Sequence, residues 1–242
     1  MGSVADNLAA VRERIDAACR SAGRDPADVR LLPVSKTHGP ELIAEAYQAG
    51  VRLFGENRVQ EAAEKAEIFA DRPDLGWAII GHLQTNKAKL VAAFASEFHA
   101  LDSIKVAEAL DRRLHDVGRS LEVFIQVNSS GEPQKFGLPP EEVEVFARKL
   151  DQFGTLRVRG LMTLAVFSDD QEAVGACFQR MRVLQAELRD LGLPGSYDEL
   201  SMGMTADFEL AIAYGATTVR VGQAIFGARL RPNEYWPPAP DT

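Results

Sequence analysis

The chain is expected to fold as a single (β/α)8 TIM barrel, an α/β architecture, with an extra helix in front of it. Three observations lead there. Strand-like and helix-like segments alternate through eight units in 242 residues, a length close to the roughly 250 typical of that barrel. No Ser- or Pro-rich linker interrupts residues 29–230, so one domain spanning 1–242 is the economical division. The structural competitor, a doubly wound sheet, usually carries a Gly-rich turn after its first strand. Here that turn reads "SKTHGPE", without a GxGxxG pattern.

The elements follow in order. Residues 1–28 supply the leading helix, where Val4, Leu8, Val11, Ile15 and Ala18 mark one apolar stripe among acids and bases. Strands are expected over 29–36, 51–55, 77–81, 98–102, 121–128, 156–164, 197–204 and 217–222. Helices are expected over 40–49, 57–70, 85–95, 103–117, 139–153, 170–191 and 205–214, with a last turn from Gln223. The punctuation agrees: "GPELIAEAYQAG" places proline at a helix start and glycine just past its end, and "DSIKVAEAL" opens on an Asp-Ser cap. A Pro-rich tail occupies 231–242.

Composition narrows the partners. A formal charge of -8 argues against general binding to nucleic acid or to an anionic membrane surface, both of which need a concentrated basic face. No apolar run approaches the roughly 18 residues of a membrane span, and the N-terminus resembles neither a signal nor a transit peptide, so a cytoplasmic protein is expected. Cys19 and Cys177 lie in amphipathic segments without CxxC spacing and read as small buried residues.

In this barrel, functional residues gather at the C-terminal ends of the strands. Lys36 is the lysine that closes a strand, whereas Lys65, Lys105 and Lys149 fall within helices and read as solvated. A partly desolvated amine on a rigid strand has a lowered pKa and forms Schiff bases with aldehydes; the alternative is a strand-end lysine paired with Glu56 or Asp102. At the other end of the chain, "SMGMTADFELAIAYG" leaves strand seven through Ser201, Gly203 and Thr205, with Thr205 as an N-cap. "RVGQAIFG" leaves strand eight through Gly222 and Gln223. These are the usual phosphate-binding loops of the fold, or else ordinary tight turns. Asp207 and Glu209 would repel a phosphate and are expected to point away. Arg220 alternates with Val219 and Val221, so it faces a buried layer and needs a partner, either a ligand or a barrel acid. His82 lies in the loop after strand three; the histidines show no metal-like spacing.

Taken together, "PVSKTHG", "FGENRVQE", "IIGHLQTNK", "VNSSGEPQKFGL", "RGLMTL" and "LSMGMTADFELAIAYGATTVRVGQAIFG" resemble the pyridoxal phosphate homeostasis proteins of the YggS/PROSC type, over residues 4–230. The resemblance implies the barrel of the alanine racemase N-terminal domain, with pyridoxal 5'-phosphate (PLP) on Lys36 as a Schiff base. It further implies that Ser201, Thr205, Gly222 and Gln223, with the amides near Gly203, hold the phosphate. Arg220 then faces the pyridine nitrogen, and Asn57 and Met202 line the ring. Gln223 departs from the small hydroxyl residue of many relatives, which leaves its backbone amide as the donor.

An arginine at the pyridine nitrogen keeps it unprotonated and weakens the electron sink on which PLP catalysis depends. Barrel racemases tolerate this because a second domain helps supply a tyrosine as an opposing base. Only about twelve residues follow strand eight and its turn, and Tyr47, Tyr197, Tyr214 and Tyr235 are not placed for that task. The expectation is therefore a monomeric PLP carrier in vitamin B6 homeostasis, without robust catalysis, that hands PLP to apo PLP-dependent enzymes. The alternatives are a fold-type III PLP enzyme such as a one-base amino-acid racemase, and an aldolase-like barrel whose lysine reacts with a phosphosugar.

Overall fold

The structure, a computed structural model, describes residues 2–227. Its elements run α1 (Val4–Ser21), β1 (Arg30–Pro33), α2 (Pro40–Gln48), β2 (Leu53–Glu56), α3 (Val59–Ile68), β3 (Gly76–Ile79), α4 (Ala88–Phe94), β4 (Glu97–Leu101) and α5 (Ile104–Asp116). They continue as β5 (Leu121–Val127), α6 (Val143–Leu150), β6 (Leu156–Thr163), α7 (Gln171–Asp190), β7 (Glu199–Ser201), α8 (Phe208–Ala213), β8 (Thr218–Val221) and α9 (Gln223–Phe226). The Pro-rich tail over 231–242, with Tyr235, lies outside the described residues.

All eight strands are parallel, in the order β1-β8-β7-β6-β5-β4-β3-β2. The remaining edge pair, β1 and β2, is joined by a single bridge between Val34 and Gly55, where the Ser35 amide donates to the Gly55 carbonyl at 3.1 Å. The sheet is thereby a closed (β/α)8 barrel, as the alternation predicts. Closure leaves no strand edge for another chain to extend, and it places the residue after Ser35 at the mouth formed by the strands' C-terminal ends.

The extra helix α1 carries a capping box, Ser3 with Asp6, which satisfies otherwise orphaned first-turn amides. Its buried stripe is Val4, Leu8, Val11, Ile15 and Cys19; Ala18 is only half-buried, one position off the expected line. The helix packs beside the β8–β1 sector. Asn7 donates to the Ile225 carbonyl at 2.8 Å, the Val4 amide to Glu45 of α2 at 2.7 Å, and Arg14 pairs with Glu209 of α8. Cys19 and Cys177 are both buried and free.

Several boundaries differ from expectation for local reasons. The first strand pairs regularly only over Arg30–Pro33, because the chain turns after the Val34 bridge and Thr37 takes a left-handed conformation at φ 65°. The seventh strand shrinks to Glu199–Ser201, since Tyr197 at φ 51° cannot continue a strand. The helix expected from Thr205 starts at Phe208. Asp207, not Thr205, is its N-cap residue, and the Asp207 carboxylate accepts the Met204 amide at 2.6 Å across a tight turn.

Gly160 in β6 shows how closely the wall is built. A Cβ there would stand 1.8 Å from the Glu199 carbonyl oxygen of β7, whereas Gly154 has nothing within 4 Å. Gly160→Ala is expected to cost about 1–3 kcal/mol or more through overpacking against backbone. Gly154→Ala should stay within about 0.5 kcal/mol. Urea unfolding of the two variants checks the contrast.

Candidate functional site

Lys36 stands, half-buried, in the turn that leaves the β1 end of the closing seam. What lies to either side follows from the strand order. On one side is β8: Leu32 registers with Arg220 and Pro33 with Val221, and the Val34 amide donates to the Val221 carbonyl at 2.9 Å. Gly222 follows, so close that a Cβ would meet the Val34 carbonyl oxygen at 2.9 Å. This position requires glycine for space and brings the β8 loop against the lysine-bearing turn. His38, buried, lies against Phe226 of α9 with ring centroids 5.4 Å apart.

On the other side of the seam is β2, and here a sequence expectation fails. Lys65 is not solvated: it is fully buried. Its ammonium donates to the Ser35 carbonyl at 2.8 Å, to Glu56 Oε1 at 2.7 Å and to Glu61 Oε1 at 2.7 Å. Ser35 Oγ donates to the same Glu56 oxygen at 2.6 Å, and the Thr37 amide to Glu61 Oε1 at 2.6 Å. Burial pushes the Glu56 carboxyl up to about 7, against the lowering effect of Lys65, and its Oε2 has no hydrogen-bond partner among the described residues. Glu56 is thus taken by Lys65 and Ser35. Lys105 and Lys149 are exposed, as expected.

Arg220 projects into the barrel and is 3% exposed. Its guanidinium donates from Nη1 to Ser201 Oγ at 2.8 Å and from Nη2 to the Thr163 carbonyl at 2.7 Å. Among the described residues no carboxylate lies within ion-pair distance of it, and burial brings its pKa down to about 10. Ser201 Oγ also lies 3.0 Å from His99 Nδ1, while His99 Nε2 is 2.7 Å from Glu97. Glu97 in turn holds Arg30 through two hydrogen bonds. Burial alone would raise Glu97, but the His99 and Arg30 hydrogen bonds outweigh it and hold the carboxyl at about 2. Burial lowers the His99 pKa, against the raising effect of Glu97. In the neutral imidazole, His99 Nε2–H donates to Glu97, and Ser201 Oγ–H then donates to His99 Nδ1 while Ser201 accepts from Arg220. A polar chain, Arg30–Glu97–His99–Ser201–Arg220, therefore runs through the barrel from its floor to its mouth.

The remaining predicted residues fall as follows. Gly203 is left-handed at φ 92°, and a Cβ there would meet Ala211 Cβ at 2.6 Å. Thr205 is half-buried in the β7–α8 turn, and Gln223 is exposed at the start of α9. Asn57 is exposed, its backbone covered by Gly81, whose Cβ would meet the Asn57 carbonyl oxygen at 2.2 Å. Met202 is fully buried in the apolar core. Glu209 turns outward to Arg14, as expected, whereas Asp207 folds back onto the Met204 amide. His82 stacks on Phe136 at 4.1 Å and lies 3.7 Å from Asp102, stapling three mouth loops together. Lys36, Gly222, Gly203, Arg220 and Ser201 all come from the ends of β1, β7 and β8.

Sequence reasoning missed Lys65, Glu56 with Glu61, and His99 with Glu97. The i, i+4 spacing of Glu61 and Lys65 is the one visible signal, and on a helix it ordinarily marks a surface pair.

Fold and site together define a parallel (β/α)8 barrel with a lysine at its mouth and a buried arginine that makes no close ion pair among the described residues. The alanine racemase N-terminal domain model matches residues 7–230. A Pseudomonas aeruginosa protein named pyridoxal phosphate homeostasis protein is 44% identical over 239 residues, covering 99% of this chain and 100% of that protein. Its Escherichia coli K12 namesake is 40% identical, covering 95% and 98%. PipY of Synechococcus elongatus, solved with PLP bound, superposes with a TM-score of 0.82 at 38% identity over 93% of this chain and 100% of that one. The chain belongs to the pyridoxal phosphate homeostasis protein family, on the barrel of the alanine racemase N-terminal domain.

The buried charges give stability a pH dependence of definite sign. Glu97, lowered from 4.5 to about 2, contributes stability that is present above pH 4.5 and lost as pH falls through 2, on the order of 3 kcal/mol. Glu56, raised from 4.5 to about 7, contributes stability that is present below pH 4.5 and lost as pH rises through 7. Urea midpoints measured across pH should flatten on the acid side in Glu97→Gln and on the neutral side in Glu56→Gln.

Proposed function

We propose that this protein binds pyridoxal 5'-phosphate at the barrel mouth, holds it on Lys36 as a Schiff base, and serves cellular PLP homeostasis by carrying the cofactor rather than by robust catalysis. The observation that carries the reading is Arg220: a buried guanidinium with two neutral hydrogen-bond partners and no carboxylate within ion-pair distance among the described residues, Asp207 acting on it only from farther away. A buried cation without an ion-pair partner is costly, and an acceptor supplied by a ligand offsets that cost. The names of the relatives and the PLP bound in PipY support the same choice.

The residues fit the group. Lys36 offers an amine on a turn fixed from both sides. The Gly203 and Gly222 loops follow β7 and β8, where this fold receives phosphates. Because Ser201 Oγ already donates to His99 and accepts from Arg220, backbone amides of these loops and Thr205 take the larger share of the phosphate. The amides of Gln223 and Ala224, in the first turn of α9, lack intrahelical acceptors. Asn57, exposed at the β2 end, would line the ring, whereas Met202, fully buried in the apolar core, would back the site without touching the ring. When bound, PLP supplies an aldehyde and an electron-accepting ring. Arg220, still cationic at neutral pH, donates to an unprotonated ring nitrogen and so disfavours the protonated ring that strengthens carbanion chemistry.

Placement of the tyrosines supports a carrier. Tyr197 precedes β7 on the barrel floor, Tyr214 follows α8, and Tyr47 bonds Asp74 on the outside. Among the described residues no tyrosine opposes Lys36 across the mouth. The two buried, unpaired cysteines suit a reducing compartment, consistent with the cytoplasm. We read the carrier as a monomer that hands PLP to apo PLP-dependent enzymes.

The purified protein mixed with PLP should absorb visible light and retain the cofactor covalently after borohydride reduction, and Lys36→Ala should abolish both. Covalent PLP retained by Lys36→Ala would sink the assignment. Solvent deuterium incorporated at Cα of a panel of amino acids, in a Lys36-dependent and sustained manner, would instead make it an enzyme.

A further inference from the structure

The buried ion cluster behind the closing seam has no part in the reading above. It consists of one lysine and two glutamates with side chains at most 5% exposed. Such a cluster is a poor way to gain stability, because desolvation consumes most of the Coulomb attraction. Its placement is specific. Lys65 grips the carbonyl of Ser35, Glu56 grips the hydroxyl of Ser35, and Glu61 grips the amide of Thr37. The residue between those two is Lys36. All the contacts come from β2 and α3, across the closing seam, which a lone bridge joins. Thr37 also takes a left-handed conformation that a threonine does not adopt without restraint, and the bond from its amide to Glu61 supplies one.

We propose that Lys65, Glu56 and Glu61 are positioning residues for Lys36: by holding the backbone on both sides of it, they fix where its side chain departs and thereby set how fast its amine forms an imine. The inference rests on Lys36 being the reactive amine. In that step the amine lone pair attacks the aldehyde carbon, both amine protons leave with the carbonyl oxygen as water, and a C=N bond remains. The cluster holds the Ser35 carbonyl and hydroxyl and the Thr37 amide. It acts through the turn, as supporting residues do where a displacement of about 1 Å costs up to a hundredfold in rate.

The test compares Glu61→Ala, which removes the acceptor of the Thr37 amide, with Glu61→Gln, which keeps an oxygen there. Val59→Ala, buried in the same helix and outside the cluster, controls for loss of stability. Two rates are measured on the full chain. One is the appearance of visible absorbance on mixing with PLP; the other is arylation of Lys36 in the cofactor-free protein by trinitrobenzenesulfonate, followed at the peptide level by mass spectrometry. Glu61→Ala is expected to change both rates by about tenfold or more and Glu61→Gln by less than about threefold, with Val59→Ala at wild-type rates. The proposal is overturned if Glu61→Ala reacts as wild type, or if Val59→Ala, destabilised to the same degree, is altered as much. Lys36→Ala separates the two readings. If it still traps PLP, the assignment of Lys36 fails and this inference with it; if it traps none while Glu61→Ala behaves as wild type, only the positioning role fails.

Discussion

Closure of the sheet between β1 and β2 is the constraint on which the rest depends. Seven of the eight strand interfaces lie between neighbouring strands of the ladder, with register shifts at β4–β5 and β5–β6 and a single pair at β7–β8, and the eighth is a lone bridge outside the strands, Val34 to Gly55. At that point the chain leaves β1, turns through a strained threonine and presents Lys36. A weak seam would leave such a turn loose. Side chains from β2 and α3 provide what the short ladder does not, and they do so with charge buried out of reach of salt screening. The same juncture brings β8 so near that only glycine fits at 222.

The barrel interior is filled in two different ways. Some inward positions are apolar, such as Leu32 and Phe124, and they need no partners. Along the axis runs a chain of polar side chains with each hydrogen assigned: a carboxylate fixes a neutral imidazole, the imidazole fixes a hydroxyl, and the hydroxyl receives a guanidinium. Buried polar networks of this kind are stable only when their members are satisfied. Here the floor end is neutralised by Arg30, and the mouth end is left positive.

Much of this was legible in the sequence. The eight-fold alternation of strand and helix gives the barrel, and the lysine at a strand end, with two glycine-bearing loops far downstream, gives the mouth. Arg220 reads as buried because it alternates with valines. What sequence patterns hide are the partners. Lys65 and Glu61 show the spacing of a solvent-exposed helix pair, and nothing local reveals that this face of α3 turns inward onto the β1 turn. His99 and Ser201 are over a hundred residues apart and meet only because the strands curl into a cylinder. Thr205 matches a helix cap by residue type, yet the chain first makes a tight turn held by the Asp207 carboxylate on the Met204 amide, and the helix begins only after it, without a side-chain cap.

The direction of the helices has one more consequence. In a barrel of this handedness each crossover helix starts at the mouth, so the partial positive charges of the helix N-termini converge there around Arg220. The chain as a whole carries a formal charge of -8. A small anion approaching from solution meets repulsion over most of the surface and attraction over one face. The field thus sorts approach directions before any atom touches, drawing an anionic guest to the mouth at a rate that added salt should diminish.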